Sequence, residues 1–167
     1  MDIIIERAVP ADAGELIEYL RQVGGETDNL TFGAEGLPFT VETEAEYLAG
    51  IQGSDDNVML VAKDNGRIVG NASLRRLPRR MSHRGEMAIS VLKEYWNCGI
   101  GKDLISKLME FASEHDFDVI DLQVRSDNFA AIHLYEKMGF QQFGTHPAFF
   151  KMDGEEIAFN YMFLKLR

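Results

Sequence analysis

The stretch that decides the fold is Ser90-Val91-Leu92-Lys93-Glu94-Tyr95-Trp96-Asn97-Cys98-Gly99-Ile100-Gly101-Lys102. Apolar and polar residues alternate over 84–92, which predicts that a β-strand leads into this stretch. An apolar stripe over 99–114 predicts that an amphipathic helix leaves it. A helix that begins at Gly99 and Gly101 presents unpaired backbone N–H groups and the positive end of its dipole. The turn therefore predicts an anion-binding site, although a tight turn without a ligand explains the same glycines.

Two familiar nucleotide-binding loops do not match these residues. A Walker loop requires Gly-x-x-x-x-Gly-Lys-Ser/Thr, whereas Gly101-Lys102 is followed by Asp103 and Trp96 stands where the first glycine belongs. A dinucleotide fingerprint requires a third glycine three residues after Gly101, and that residue is Leu104. Neither class of nucleotide-binding protein is therefore indicated.

Outward from this stretch, hydrophobic periodicity divides the chain into strands and helices. The predicted strands cover 2–8, 58–62, 68–74, 84–92, 119–124, 140–150 and 156–165. The predicted helices begin at Pro10-Ala11-Asp12, cover 44–52 and 99–114, and run from a cap at Ser126 or Asp127 to Met138. An Asn65-Gly66 turn favours a hairpin between the second and third strands, and residues 24–43 have no clear period. This order predicts an α/β fold of the α+β type, with a mixed sheet and one strand-helix-strand crossover.

The composition is that of an ordinary globular protein. The 167 residues are 46% hydrophobic and 26% charged, so residues 1–167 are expected to form a single domain around one core. The lone cysteine, Cys98, cannot form an internal disulfide, and no apolar stretch has the length of a membrane span. The first residues also lack the basic flank and long apolar run of a signal peptide. A cytoplasmic protein without membrane association is therefore expected.

The formal net charge of −10 argues against nucleic-acid binding, because neutralising phosphates requires surplus Lys and Arg. One basic segment stands apart, and it contains Arg75, Arg76, Arg79, Arg80 and Arg84. It is either a solvated connection between two strands or a contact for a phosphate or an acidic partner. The four histidines are not spaced as metal ligands, so no metal is expected.

Two segments together resemble the GNAT superfamily of acetyl-CoA-dependent N-acetyltransferases. The family signature is Gln/Arg-x-x-Gly-x-Gly/Ala between its fourth strand and third helix, and Gly99-Ile100-Gly101 lies in that register. A second segment, 128–140, is similar to the family pattern Asn-x-x-Ala-x-x-Leu-Tyr-x-x-x-Gly-Phe. One departure is Trp96, which occupies the usual Gln/Arg position. The resemblance implies a GNAT-like acyl-CoA N-acyltransferase fold with about seven mostly antiparallel strands and about four helices.

The resemblance also implies where the cosubstrate acetyl-CoA binds, in a gap where the fourth strand diverges from the fifth. The residues whose backbone would hold the pantetheine are Ile89, Ser90 and Val91, and the Val91 N–H would polarise the thioester carbonyl. The residues whose amides would hold the pyrophosphate are Asn97, Cys98, Gly99, Ile100, Gly101 and Lys102. Asn128 would bond the pantetheine arm, or it caps a helix.

The catalytic residues implied by the resemblance are Tyr135 and Glu86. Tyr135 is the expected general acid that protonates the leaving thiolate, and its alternative role is aromatic packing. Glu86 is the expected general base, acting directly or through water, and its alternative role is that of a solvated strand residue. Relatives that acetylate peptide termini have a glutamate five residues before the Asn128 position. This chain has Gln123 there, which cannot act as a base.

Direct transfer of an acetyl group to a primary amine is the expected function, and a non-catalytic acyl-CoA-binding or sensor module is the alternative. The amine-bearing acceptor is unidentified, because the acceptor side would be built from the irregular segment 24–43 and from the loop joining the last two strands. A homodimer is possible by the same resemblance.

Overall fold

One mixed β-sheet carries the fold, and the computed structural model describes all 167 residues. The elements in chain order are β1 Ile3–Arg7, α1 Ala13–Glu26, α2 Val41–Ile51, β2 Asn57–Asp64, β3 Arg67–Arg76, β4 Arg84–Val91, α3 Ile100–Glu114, β5 Val119–Arg125, α4 Phe129–Lys137, β6 Gln141–Met152 and β7 Glu155–Lys165. The seven strands are ordered β1-β2-β3-β4-β5-β7-β6, and only β4 and β5 are parallel. This architecture confirms the predicted mixed fold of seven mostly antiparallel strands and four helices.

The two faces of the N-terminal half of the sheet are covered by different helices. The buried stripe of α3 consists of Ile100, Leu104, Ile105, Leu108, Phe111 and Ala112. This stripe packs against β3 at Gly70, where an added Cβ would lie 3.2 Å from Leu104 Cδ1. On the opposite face, the Tyr19 hydroxyl of α1 lies 2.8 Å from Ser90 Oγ of β4. A cluster of 29 buried residues fills the space between these layers.

The sheet opens between β4 and β5. Their pairing covers three residue pairs and ends at Glu86 and Asp121. Beyond that point β4 remains paired with β3 as far as Val91, and β5 remains paired with β7 as far as Arg125. The strands therefore diverge, and the gap between residues 87–91 and 122–125 is called the wedge below. At its closed end Arg84 Nε donates to Asp121 Oδ2 at 2.7 Å.

Two of the clustered arginines have structural roles. The Arg76 guanidinium lies 3.8 Å above the Phe117 ring and pairs with Asp56 at 2.7 Å. Arg84 closes the wedge through Asp121. These two residues therefore fit the interpretation of the segment as a connection between strands.

Three helix boundaries differ from the sequence-based predictions. Helix α1 continues through Gly24 to Glu26, because Gly24 packs directly on the backbone of Gly33 and this contact overrides the weak helix propensity of glycine. Helix α2 begins at Val41 rather than 44, because the Thr40 side chain accepts from the Thr43 amide. The irregular segment therefore shrinks from 24–43 to 27–40.

The third difference concerns the start of α4. The cap is Asn128, whose Oδ1 accepts from Ala131 N at 3.3 Å, and neither Ser126 nor Asp127 caps the helix. Both of those side chains are engaged elsewhere: Ser126 Oγ donates to Asn160 Oδ1, and Asp127 accepts from Arg125. Side-chain partners outside the helix, one of them distant in sequence, therefore determine which polar residue caps it.

The crowding around Gly85 in β4 gives a stability prediction. An added Cβ would lie 2.7 Å from Phe117 Cε1 and 2.8 Å from Leu74 Cδ1, so Gly85→Ala should lower the free energy of unfolding by about 1–3 kcal/mol. The matched control is Gly14→Ala in α1, where no atom lies within 4 Å of the added Cβ. That variant should be neutral or slightly stabilising. Urea denaturation of both variants measures the difference, and equal stabilities would contradict the packing described here.

Candidate active site

A cavity of about 440 Å³ opens along the β4 side of the wedge. Its walls come from the end of β4, the N-terminus of α3, one side of α4 and the segment after α1. Ten of the predicted site residues line it: Ile89, Ser90, Val91, Asn97, Gly99, Ile100, Gly101, Lys102, Asn128 and Tyr135. Segments far apart in the sequence therefore meet around one space.

At the end of β4, backbone N–H and C=O groups point into this cavity. Leu92 N donates to Val69 O of β3, and hydrogen bonding in an antiparallel pair alternates along the strand. Ser90 therefore directs its backbone to β3, while Ile89 and Val91 direct theirs to the open wedge. Within the protein the Val91 carbonyl accepts from Trp96 Nε1 at 2.9 Å. The Val91 N–H and the Ile89 peptide groups thus remain available to a ligand, and Ser90 contributes its side chain.

The N-terminus of α3 lies at one end of the cavity. Gly99 has a φ of 84° and precedes the first helical residue, and no side chain caps the helix. The first backbone hydrogen bond of the helix runs from Asp103 N to Gly99 O at 3.1 Å. The amides of Gly101 and Lys102 therefore have no acceptor within the helix. Together with the helix dipole they form a site for an anion.

Gly101 leaves open space for such an anion. An added Cβ there would lie 3.5 Å from Leu134 Cδ2 and 4.0 Å from Ile89 Cδ1, which are ordinary contact distances. No positive φ is required at this residue either. Neither protein packing nor backbone conformation therefore demands glycine here, and its lack of a side chain leaves the space beside the α3 amides open.

The turn between β4 and α3 is held by residues distant in sequence. Lys93 N donates to Glu26 Oε2 at 2.7 Å, and the Tyr95 hydroxyl donates to Asp64 Oδ2 at 2.8 Å. This hydrogen bond raises the pKa of Tyr95, because the phenol donates to a carboxylate. The turn is therefore ordered before any ligand binds. Sequence reasoning missed Glu26 and Asp64, since nothing local marks them as partners of the turn.

Tyr135 of α4 lies on the cavity wall. The residue is 7% exposed, and its ring packs against Phe140 at a centroid separation of 5.8 Å. Burial raises the pKa of the Tyr135 phenol well above its ordinary value, because the charged phenolate would lose its hydration. The hydroxyl therefore carries its proton throughout the physiological pH range.

Two predicted site residues, Glu86 and Cys98, lie outside the cavity lining. Glu86 stands at the closed end of the wedge with its carboxylate 3.6 Å from Arg75 Nη2. Cys98 is exposed on the turn. Gln123 is exposed on β5, on the face of the sheet that also carries Glu86. The roles assigned to Glu86 and Cys98 stay predictions.

Comparison with known proteins agrees with this geometry. The acetyltransferase (GNAT) family model matches residues 16–140. The chain belongs to the GNAT family. It is 35% identical over 104 residues to the N-alpha-acetyltransferase RimI of Mycobacterium tuberculosis, an alignment that covers 62% of this chain and 64% of that relative.

Solved structures show the same fold. A GNAT-family acetyltransferase of Streptococcus pneumoniae superposes with a TM-score of 0.94 and 31% identity, covering 99% of this chain and 100% of that one. The yncA protein of Salmonella typhimurium, solved with its cofactor acetyl-CoA, superposes with a TM-score of 0.86 and 21% identity, covering 100% and 95%. No helix of the present structure is long and apolar enough to cross a membrane.

The two segments that resemble the GNAT family meet in space. Leu134 and Tyr135 belong to the second segment, and Leu134 Cδ2 is the nearest atom to the position that a Cβ would occupy on Gly101 in the first. Both segments also line the cavity. The two motifs are far apart in sequence, and they meet in space because α4 packs beside the N-terminus of α3.

The anion site at α3 is tested by Gly101→Glu. The new carboxylate would fill the open space and repel a pyrophosphate, so acetyl-CoA affinity should fall about 10-fold or more, as expected for a like charge placed in an anion site. The control is Gly50→Glu, which adds the same charge on α2 where an added Cβ meets no atom within 4 Å. Calorimetric titration with acetyl-CoA compares them, and equal affinities in two folded variants would remove this site.

Proposed function

We propose that the protein transfers the acetyl group of acetyl-CoA directly to a primary amine. The observation that carries this proposal is the arrangement of three kinds of group around one cavity: unpaired amides at α3, outward peptide groups at the end of β4, and the protonated hydroxyl of Tyr135. The acetyl-CoA named for yncA supports the choice of cosubstrate. The N-alpha activity named for RimI supports an amine acceptor.

Each wall of the cavity suits a different part of acetyl-CoA. The Gly101 and Lys102 amides and the Lys102 charge suit the pyrophosphate. The outward peptide groups of Ile89 and Val91 suit the amides of the pantetheine arm. Asn128 commits Oδ1 to the α4 cap, which leaves its Nδ2 donor for a carbonyl of the same arm. The cosubstrate supplies an acetyl thioester that is activated toward attack by nitrogen.

The end of β4 and Tyr135 both line the cavity and have different roles in the chemistry. The Val91 N–H donates to the carbonyl oxygen as negative charge develops there. Attack of the neutral amine nitrogen on the acetyl carbon breaks the C–S bond and leaves a thiolate, and the nitrogen loses its excess proton to water as the amide forms. The Tyr135 hydroxyl then donates to that sulfur.

The raised pKa of Tyr135 determines whether its hydroxyl transfers the proton to sulfur completely or mainly donates a hydrogen bond. A thiol has an ordinary pKa of about 8.5 and a phenol one of about 10, so complete proton transfer is already uphill before burial is counted. Burial raises the phenol pKa further. Tyr135 therefore acts chiefly by donating a hydrogen bond to the developing thiolate. The negative charge of the thiolate, in the same cavity, favours transfer of the phenol proton to sulfur.

The acceptor must arrive as a neutral amine or lose a proton nearby. Glu86 is the carboxylate that we assign to this step, with water between it and the amine, since it lies outside the cavity lining. Arg75 competes for the same carboxylate at 3.6 Å, but both side chains keep solvent exposure. A weak surface ion pair of this kind is readily exchanged for water.

An acetyl-transfer assay tests the proposal against the non-catalytic alternative. Release of CoA thiol would be measured with acetyl-CoA and a panel that contains an alanine-initiated peptide, free L-amino acids and spermidine. The expected result is turnover with at least one amine and an N-acetylated product by mass spectrometry. Tight acetyl-CoA binding without release above the rate in buffer would favour an acyl-CoA sensor instead.

The role of Tyr135 gives the sharpest prediction. Tyr135→Phe keeps the ring and its packing on Phe140 but removes the donor, so kcat should fall about 10²–10⁴-fold, or less where water replaces the hydroxyl. Acetyl-CoA affinity and Tm should stay nearly unchanged, because backbone groups hold the cosubstrate. The control is Tyr47→Phe on the exposed side of α2. Wild-type turnover in Tyr135→Phe, measured where chemistry limits the rate, would show that another group protonates the sulfur.

A further inference from the structure

The segment that joins α1 to α2, residues 27–39, lies over the open end of the wedge and is called the strap here. Thr27, Asn29 and Leu30 of the strap line the cavity together with Ser90 and Val91 of β4. The Tyr19 hydroxyl, which lies on α1 ahead of the strap, bonds Ser90 Oγ. The strap therefore starts from the β4 side of the wedge.

On the other side of the wedge a single hydrogen bond holds the strap. Arg125 Nη1 at the end of β5 donates to the carbonyl of Asp28 at 3.0 Å. Every other hydrogen bond of the strap is internal, between Asn29 and Thr27, Gly33 and Glu35, Gly36 and Gly33, and Phe39 and Leu37. Arg125 is thus the one hydrogen-bonding anchor between the strap and the rest of the protein.

The Arg125 guanidinium is itself fixed in place. Its Nε donates to Asp127 Oδ1 at 2.7 Å, and its Nη2 donates to Asp127 Oδ2 at 3.3 Å. The arginine side chain is 16% exposed, whereas that of Asp127 is 62% exposed. These two hydrogen bonds orient the planar guanidinium so that Nη1 points to the strap.

The far part of the strap is held by packing against α1. An added Cβ at Gly24 would lie 2.1 Å from the Gly33 carbonyl oxygen, so the two backbones are in direct contact. Asn29 and Leu30, which line the cavity, lie between the Arg125 bond at Asp28 and this contact at Gly33. Leu30 also packs on the core, so Arg125 supplies the hydrogen bond that fixes this stretch on its β5 side.

We propose that Arg125 is a positioning residue for the acceptor, because it holds Asn29 and Leu30 as the wall of the acceptor side of the cavity. This inference rests on the proposed acetyl transfer. Without the Arg125 bond the wall moves away, the amine binds more weakly, and water reaches the acetyl thioester. Attack by water on that carbon breaks the C–S bond and gives acetate and CoA thiol. The cosubstrate itself is bound on the α3 side and is unaffected.

The first test needs no turnover. Hydrogen exchange of the amides of 28–34 should accelerate in Arg125→Gln and remain as in the wild type in the control Arg167→Gln. Arg167 has the same kind of partners, because it pairs with Asp116 at 2.9 Å and donates to the Ser113 carbonyl, but it lies at the opposite end of the chain from the strap. Unchanged exchange in folded Arg125→Gln would overturn the anchor, whether or not the protein is an enzyme.

The second test separates acceptor from cosubstrate. In Arg125→Gln the KM of the best amine in the panel should rise about three- to tenfold, as expected for loss of one hydrogen bond, with the acetyl-CoA KM within about twofold of the wild type. CoA release without amine should increase, and Arg125→Lys, which retains a charged donor, should restore part of both properties. Equal changes in the two KM values, or faster exchange with no kinetic change, would overturn the positioning role. Absence of wild-type turnover with every amine would instead contradict the proposed function.

Discussion

The early end of the pairing between β4 and β5 is the constraint on which the rest of the structure depends. A sheet normally satisfies its peptide groups by pairing, and an unsatisfied buried peptide group costs about 1–3 kcal/mol. Here β4 stays with β3 and β5 stays with β7 to their ends, so the peptide groups of Ile89 and Val91 have no strand partner on the wedge side. The proposed cosubstrate has amide groups of its own, which would supply the missing partner, so the gap in the sheet is suited to binding it.

Because the two strands diverge, hydrogen bonds from side chains connect the β5 side of the wedge to its surroundings at both of its ends. Arg84 and Asp121 join β4 to β5 at the closed end, and the Arg125 contact with Asp28 joins β5 to the strap at the open end. Between them the cavity is bounded by α4, whose Tyr135 is buried against Phe140. Arginine side chains therefore bridge the wedge at both ends, and aromatic packing sets the position of the Tyr135 hydroxyl beside it.

The sequence predicted the strands, the helices and the glycine turn because these depend on local periodicity and on residues with special backbone preferences. Through a resemblance that spans both motifs, it also placed Tyr135 and Gly101 in one site, and both residues line the same cavity. It did not predict the continuation of α1 past Gly24 or the bond from Arg125 to Asp28, and it gave the cap at Asn128 only as the alternative to a ligand contact. The first two depend on partners far away in the chain, and no local pattern records such a partner.

Trp96 shows how a departure from the family pattern is accommodated. The usual Gln or Arg at this position would offer a side-chain donor to the cosubstrate, whereas the Trp96 indole donates to the Val91 carbonyl and lines the cavity. That bond satisfies one of the outward peptide groups of β4 from within the protein and leaves the neighbouring Val91 N–H free. It also joins the turn to the end of the strand. The side chain thus contributes order to the site, because it holds the peptide groups at the end of β4 in position.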